Sequence, residues 1–294
     1  MKKVLITGAG SYIGTSFEKW IKSYSDTIIT ETIDMKGDAW RDRDFGGYDA
    51  IFHVAGIAHA DVGKVTAEQK TLYYRINTDL TIECAQKAKE EGTAQFIFMS
   101  SIIIYGESAG VGKEFVITWD TPLAPANFYG DSKLKAEEGL QKLADDSFKV
   151  VILRPPMIYG EGSKGNYPLL AKLARKLPFF PEIENKRSML YVGNLCKFAE
   201  LMIQNQESGV FFPQNREYVQ TSQMVKLIAE THGKKIRLVK GLRPFLHLLG
   251  VLGGKPAGLV NKAFGNMVYD QEMSEYKEDY RVYGLEESIR LTEV

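Results

Sequence analysis

The chain of 294 residues is short of several features that would otherwise direct its reading. Its two cysteines, Cys84 and Cys196, are far apart and have no C-x-x-C partner, which excludes a disulfide framework and a thiolate zinc site. The four histidines, His53, His59, His232 and His247, show no ligand spacing, so no metal is expected. Lysine plus arginine and aspartate plus glutamate number 37 each, and a net charge of zero does not suit a polyanion, so nucleic acid is not an expected partner. Long apolar runs are missing as well. The longest, around Phe245 to Leu252, is too short to span a bilayer, and no membrane partner is expected. Met1-Lys2-Lys3 before Val4-Leu5-Ile6 opens like a signal peptide, but Gly8 and Gly10 break the run and no small-residue cleavage site follows. A reduced, cytoplasmic protein is expected. There is no internal repeat and no low-complexity linker, and this length suits one large domain or two unequal ones.

What is present is an alternation of short apolar runs with helical periodicity. Lys3 to Thr7 reads as a buried strand, and Gly8, Gly10, Ser11 and Gly14 punctuate the turn after it. Tyr12 to Ile21 then carries Ile13, Phe17 and Ile21 on one side, as a helix does. A strand, a glycine turn and a helix together build an anion site from backbone N–H groups and a helix N-terminus. Thr27 to Ile33 reads as the next strand and ends at Asp34, about twenty residues past the turn, where a dinucleotide-binding unit places the carboxylate for the adenosine ribose. A carboxylate there repels a ribose 2′-phosphate, which favours NAD, while Lys36 keeps NADP in play. Ala50 to Val54 is a further strand, followed by Ala55 and Gly56, small residues that let a ligand approach the backbone. His53 lies inside that strand and reads as a core residue.

A long helical pattern spans Glu68 to Glu90, with Asn77 in its middle, where an asparagine ordinarily faces solvent. Gln95 to Met99 is another buried strand, tipped by Ser100 and Ser101 where open α/β sheets bind ligands. Tyr129 and Lys133 follow, about one helical turn apart, so a helix points both side chains the same way. An ammonium beside a phenol favours the phenolate, which makes Tyr129 a proton-transfer candidate. Val150 to Leu153 is one more strand. Beyond Gly160 the pattern loosens into a glycine-rich loop up to Asn166 and helices at 169–176, 195–205 and 221–232. Thr221 or Ser222 is the expected N-cap of the last helix and Gly233 its end, before a strand at 235–239. The fold class expected is α/β, a Rossmann-like doubly wound parallel sheet with a small C-terminal substrate subdomain. Residues 1–160 would bind NAD(P) and 161–294 mainly the substrate, without a clean separation.

These pieces together resemble the extended short-chain dehydrogenase/reductase family, the NAD-dependent epimerases and dehydratases of nucleotide sugars. The resemblance rests on the Thr7-Gly8 turn, Asp34, Phe52-His53-Val54-Ala55-Gly56, Asn77, Ser100-Ser101 before Tyr105-Gly106, Tyr129-x-x-x-Lys133, Leu153-Arg154-Pro155, and Arg187 to Val192. It implies a catalytic set of Ser101, Tyr129 and Lys133. Ser101 would hydrogen-bond the reacting sugar oxygen, Tyr129 would exchange its proton, and Lys133 would hold the nicotinamide ribose and lower the pKa of the phenol. It implies cofactor contacts from Gly8, Gly10, Ser11, Tyr12, Ile13, Gly14, Asp34, Ala55, Gly56, Asn77, Tyr129 and Lys133, and substrate contacts from Ser101, Asn166 and Arg187. The implied activity is epimerisation at carbon 4 of a UDP-linked hexose with NAD, in polysaccharide biosynthesis. The alternative is NAD(P)H-dependent reduction of a nucleotide 4-keto sugar, and a non-catalytic cofactor-sensing regulator is the reading from another class.

Four departures from the family pattern stand out. Ser11 replaces the middle glycine of the turn. The stretch from Asp34 to Asp49 is short enough to lack a strand and a helix. Met157 stands where galactose epimerases usually carry a substrate-binding asparagine. Ile102 and Ile103 follow Ser101 where dehydratases need an acidic pair, which argues against dehydration. The family also implies dimerisation through the Glu68–Glu90 and Ser132–Leu143 helices, whose apolar faces could equally pack on the sheet.

Overall fold

The computed structural model describes residues 1–58, 65–251 and 254–294; His59 and Leu252 lie outside them. The chain begins with β1 (Lys2–Thr7), α1 (Tyr12–Tyr24), β2 (Ile28–Ile33) and β3 (Ala50–His53). α2 (Ala67–Tyr74) runs through one π-helical turn into α3 (Leu80–Glu90), and β4 (Gln95–Met99) follows. After the short β5 (Val116–Ile117) come α4 (Phe128–Leu143), β6 (Lys149–Leu153), β7 (Met157–Tyr159), α5 (Tyr167–Lys176) and β8 (Phe179–Pro181). β9 (Met189–Tyr191), α6 (Val192–Gln204), β10 (Gly209–Phe211), α7 (Thr221–Thr231) and β11 (Arg237–Val239) lead to α8 (Arg243–Val251) and α9 (Gly254–Phe264). β12 (Val268–Tyr269) and α10 (Leu285–Thr292) complete the chain.

These elements form two compact units. The first comprises 1–106, 123–155 and 195–213, the second 107–122, 156–194 and 214–294. In the first, six parallel strands lie in the order β10-β6-β4-β3-β1-β2. β1 has β2 on one side and β3 on the other, so the winding reverses there, and ligands bind such sheets at the carboxyl ends beside that reversal. Alternation along each strand covers both faces. Leu5, Ile51, Phe96, Phe98, Val150 and Ile152 pack with Cys84, Ala85 and Ala88 of α3 and with Ala136 and Leu140 of α4. On the other face Phe52 meets Phe17 of α1 edge to face, with ring centroids 4.9 Å apart. These residues of α3 and α4 pack on the sheet. β2 is the sheet edge, and the short stretch after it contributes only a 3₁₀ turn at Ala39–Asp42, whose Trp40 is buried.

The second unit holds three two-stranded parallel pairs, β7 with β9, β8 with β11 and β5 with β12. Its core joins Tyr159, Tyr167, Phe180, Met224, Ile228 and Phe264. Gly233, at φ +67°, ends α7 as expected. The N-cap of α7 differs from expectation: it is Gln220, because the Thr221 hydroxyl donates to the Ala263 carbonyl (2.6 Å) and the Ser222 hydroxyl accepts the Ile183 N–H (2.9 Å). Tertiary contacts have taken both local caps. Among the described residues no helix is long and apolar enough to cross a membrane.

Candidate active site

The turn after β1 is built by close approach. Gly8 adopts φ +109°, and a Cβ there would lie 2.9 Å from the N and Cα of Ala55 at the end of β3. Only glycine combines that conformation with that proximity. The Gly8 and Ala9 N–H groups both donate to the Ile33 carbonyl (2.9 and 3.1 Å), so the turn and Asp34 are tied to the same strand end. Gly14 sits where a Cβ would meet Ser11 Oγ at 2.6 Å and the Ile6 and Val54 side chains at 3.1 Å, which lets α1 lie close on the sheet. Ser11, in place of the middle glycine, is the N-cap of α1 and accepts the Gly14 N–H (3.2 Å). Among the described residues the N–H groups of Gly10 and Ile13 have no hydrogen-bond acceptor, which leaves two donors at a positive helix end for a diphosphate. Asp34 is exposed, and its carboxylate accepts the Lys36 N–H (3.0 Å). A glycine turn with free donors and a carboxylate across the strand end fits a dinucleotide.

Asn77 does not face solvent. It lies in the π-helical turn Arg75–Asp79, fully buried, and its side chain exchanges hydrogen bonds with the backbone of Ile57 (2.8 and 3.0 Å). Its amide also donates to Ser132 Oγ (3.1 Å), so the loop after β3 is clamped to α4. Single π turns of this kind recur at functional sites. His53 is held between Thr7 Oγ1 (2.8 Å) and Thr81 Oγ1 (3.0 Å). Thr81 gives its one proton to the Asn77 carbonyl (2.9 Å), so it accepts from His53 Nε2–H and leaves Nδ1 to accept from Thr7. Burial, with the Lys133 charge nearby, lowers His53 to about 3, and it is a neutral core residue as expected.

α4 carries the tyrosine and lysine. Asn127 caps it by accepting the Gly130 N–H (3.0 Å), and the helix starts at Phe128, so Tyr129 and Lys133 do share a helix face. Ser101 leaves the end of β4 in extended conformation and caps the 3₁₀ turn Ile102–Tyr105. Its hydroxyl accepts the Ile103 N–H (3.3 Å) and lies near enough to the Tyr129 phenol to act on that group's titration. Lys133 is 6% exposed. Its ammonium donates to the Met99 carbonyl (2.8 Å), lies 4.6 Å above the Phe98 ring, and stands 3.4 Å from where a Cβ of Gly56 would be. Burial lowers Lys133 to about 8, with the Glu137 carboxylate opposing the shift. Tyr129 moves opposite to expectation: burial pushes it up to about 12, the neighbouring Ser101 hydroxyl opposes this, and Lys133 does not offset it. The ammonium is turned to Met99, so protein groups alone leave the phenol neutral.

The sequence reading missed the support behind this set. Glu137, 1% exposed, lies one more turn along the face of Tyr129 and Lys133. It accepts from Ser100 Oγ and, at 2.6–3.2 Å, from the Arg154 guanidinium, which also donates to Tyr105 (2.7 Å). This buried cluster ties α4 to the tips of β4 and β6, where Ser101 leaves the sheet. The repeat at 129, 133 and 137 was the available signal.

In the second unit Asn166 and Arg187 line one open hollow with Met157, Leu169, Thr221 and Lys262. Arg187 donates to the Gly265 carbonyl (3.0 Å), and burial lowers its pKa. Among the described residues no carboxylate pairs with it. A half-buried guanidinium without a counter-ion is a natural anion site.

A parallel sheet with a dinucleotide turn at its reversal, and a Ser-Tyr-Lys set beside it, define a nicotinamide-dependent enzyme of the extended short-chain dehydrogenase/reductase type. Residues 4–212 match the NAD dependent epimerase/dehydratase family, and the chain belongs to that family. It is 34% identical over 249 residues to the UDP-glucose 4-epimerase of Vibrio cholerae, covering 78% of this chain and 75% of that protein. It is 28% identical over 284 residues to the N-acetyl-alpha-D-glucosaminyl-diphospho-ditrans,octacis-undecaprenol 4-epimerase of Escherichia coli O157:H7, covering 89% and 81%. In fold it is similar to the UDP-glucuronic acid 4-epimerase of Bacillus cereus in complex with NAD, at TM-score 0.72, 16% identity and coverage of 98% and 96%.

Proposed function

We propose that this protein is an NAD-dependent epimerase acting at carbon 4 of a UDP-linked hexose, with Ser101, Tyr129 and Lys133 as its catalytic residues. The observation that carries the reading is Tyr129 and the buried Lys133 ammonium one helical turn apart on α4, with Lys133 bonded to the Met99 carbonyl (2.8 Å) at the end of β4, from which Ser101 emerges. The cofactor, held by the glycine turn, Asp34 and the loop of Ala55 and Gly56, supplies a hydride acceptor and donor and a positive ring when oxidised. Ser101 orients the carbon 4 hydroxyl. Tyr129 removes its proton as the alcohol becomes a ketone, and returns a proton when the ketosugar, turned over, is reduced on its other face. Lys133 holds the nicotinamide ribose, and that positive ring favours the phenolate that protein groups alone do not stabilise. Arg187 and Asn166 hold the nucleotide diphosphate. The relatives named above support a 4-epimerase, and Asp34 supports NAD over NADP.

The purified protein is to be given UDP-glucose or UDP-N-acetylglucosamine without reductant, and the carbon 4 configuration followed by NMR. Interconversion with no net NADH is expected. No interconversion of any UDP-hexose, with stoichiometric NAD(P)H oxidation on a nucleotide 4-keto sugar, would replace the epimerase with a reductase.

A further inference from the structure

No aspartate or glutamate occurs between Glu230 and Asp270. At the chain's average of 37 acids in 294 residues, about five would be expected there by composition alone. The stretch is instead cationic: Lys234, Lys235, Arg237, Lys240 and Arg243 lead into α8, and Lys262 lies on α9. All but Lys234 are exposed.

α8 is held along one side. Leu246 is buried in the core of the second unit, Leu249 packs partly buried against that core, and His247 Nδ1 donates to the Val111 carbonyl (3.0 Å). Phe245 and Leu248, three residues apart and therefore on one side of the helix, are 59% and 56% exposed. Phe179, the register partner of Arg237 on β8, is 55% exposed as well. Scattered apolar side chains are ordinary on any surface. A bulky apolar pair on a short helix inside an acid-free cationic stretch is the composition of an element that lies in a membrane interface.

We propose that α8 and β11 dock this protein on an anionic bilayer surface. Phe245 and Leu248 enter the boundary between headgroups and acyl chains, and Lys235, Arg237, Lys240 and Arg243 meet lipid phosphates. The occupant is identified by charge: a field of one sign without carboxylates of its own complements a surface of diffuse negative charge. After the neighbouring β8 come two acids, Glu182, whose N–H bonds the Val239 carbonyl (2.9 Å), and the exposed Glu184, against the five cations from Lys234 to Arg243. The proposal departs from the expectation of no membrane partner, which rested on the length of a span. Lying on a bilayer needs no span. α9 packs on α8 and contributes Lys262 and Ala263 to the wall of the Arg187 hollow. The docking stands independently of the sugar chemistry.

Flotation of the full chain with vesicles of phosphatidylglycerol plus phosphatidylcholine, and of phosphatidylcholine alone, tests this. Binding to the anionic vesicles only is expected, weakening as salt shortens the screening length from ~10 Å at 0.1 M to ~3 Å at 1 M. Lys235→Glu/Lys240→Glu should weaken it at least tenfold, since each engaged cation contributes roughly a factor of five. Phe245→Ser/Leu248→Ser should also abolish flotation while the melting temperature stays unchanged. Equal binding to neutral vesicles, no binding to either, or either variant floating like the parent would overturn the proposal. A parent that does not float but sediments as a dimer, which Phe245→Ser/Leu248→Ser converts to monomer, would assign the patch to a second copy of the chain instead.

Discussion

Replacing Lys133 with methionine should stabilise the fold while removing the activity. Lys133 is 6% exposed and lowered from its ordinary 10.5 to about 8, chiefly by burial. At 1.36 kcal/mol per pH unit, holding that ammonium in the folded chain at pH 7 costs about 3 kcal/mol. Methionine has similar length and no charge, but it leaves the Met99 carbonyl without its 2.8 Å donor, a loss of about 1 kcal/mol. The net gain is about 2 kcal/mol at pH 7, or about 3 °C in Tm for a chain of this length. The pH dependence identifies the cause. Below about 8 both folded and unfolded chains hold the proton, and the full cost is present. Between about 8 and 10.5 the folded chain releases it and the unfolded chain keeps it, so the parent gains stability and the advantage of the variant shrinks. The assay is urea and thermal unfolding of cofactor-stripped parent and Lys133→Met at pH 7 and pH 10, beside turnover. A variant less stable than the parent at pH 7, or an advantage equal at both pH values, refutes the reasoning.

Tyr129→Phe should fold and bind cofactor normally but lose at least ~10²-fold in turnover, as expected on removing a general acid/base; near-parental turnover would remove the phenol from the mechanism. Arg187→Ala should raise KM for the nucleotide sugar roughly 10- to 100-fold, the loss of one or two charge-assisted hydrogen bonds, and leave cofactor affinity alone. Calorimetry showing equal weakening of both ligands would count against it. Gly8→Ala forces a Cβ to 2.9 Å from Ala55 at φ +109°, and should cost about 1–3 kcal/mol in urea unfolding together with weaker NAD binding. Unchanged stability would show that the turn can open without cost.

The sheet was legible in the sequence because strands buried on both faces read as unbroken apolar runs, and Val4 to Ile6, Ile51 to Phe52 and Phe96 to Phe98 are such runs. Glycines at Gly8 and Gly14 and the Tyr129–Lys133 spacing were legible too, since turn conformation and helical period are local properties. The shortened edge after Asp34 could be counted off the chain. What the sequence could not express was the set of partners each polar group would find across the fold. Asn77 looks like a solvent-facing helix residue until Ile57 and Ser132 are brought to it. Thr221 and Ser222 look like caps until Ala263 and Ile183 take their hydroxyls. The pairing of Glu137 with Arg154 joins residues on different elements. The direction of the Tyr129 shift was beyond local reading for the same reason. Spacing puts an ammonium one helical turn from the phenol, but burial, and the carbonyl that Lys133 finds at Met99, are properties of the assembled interior.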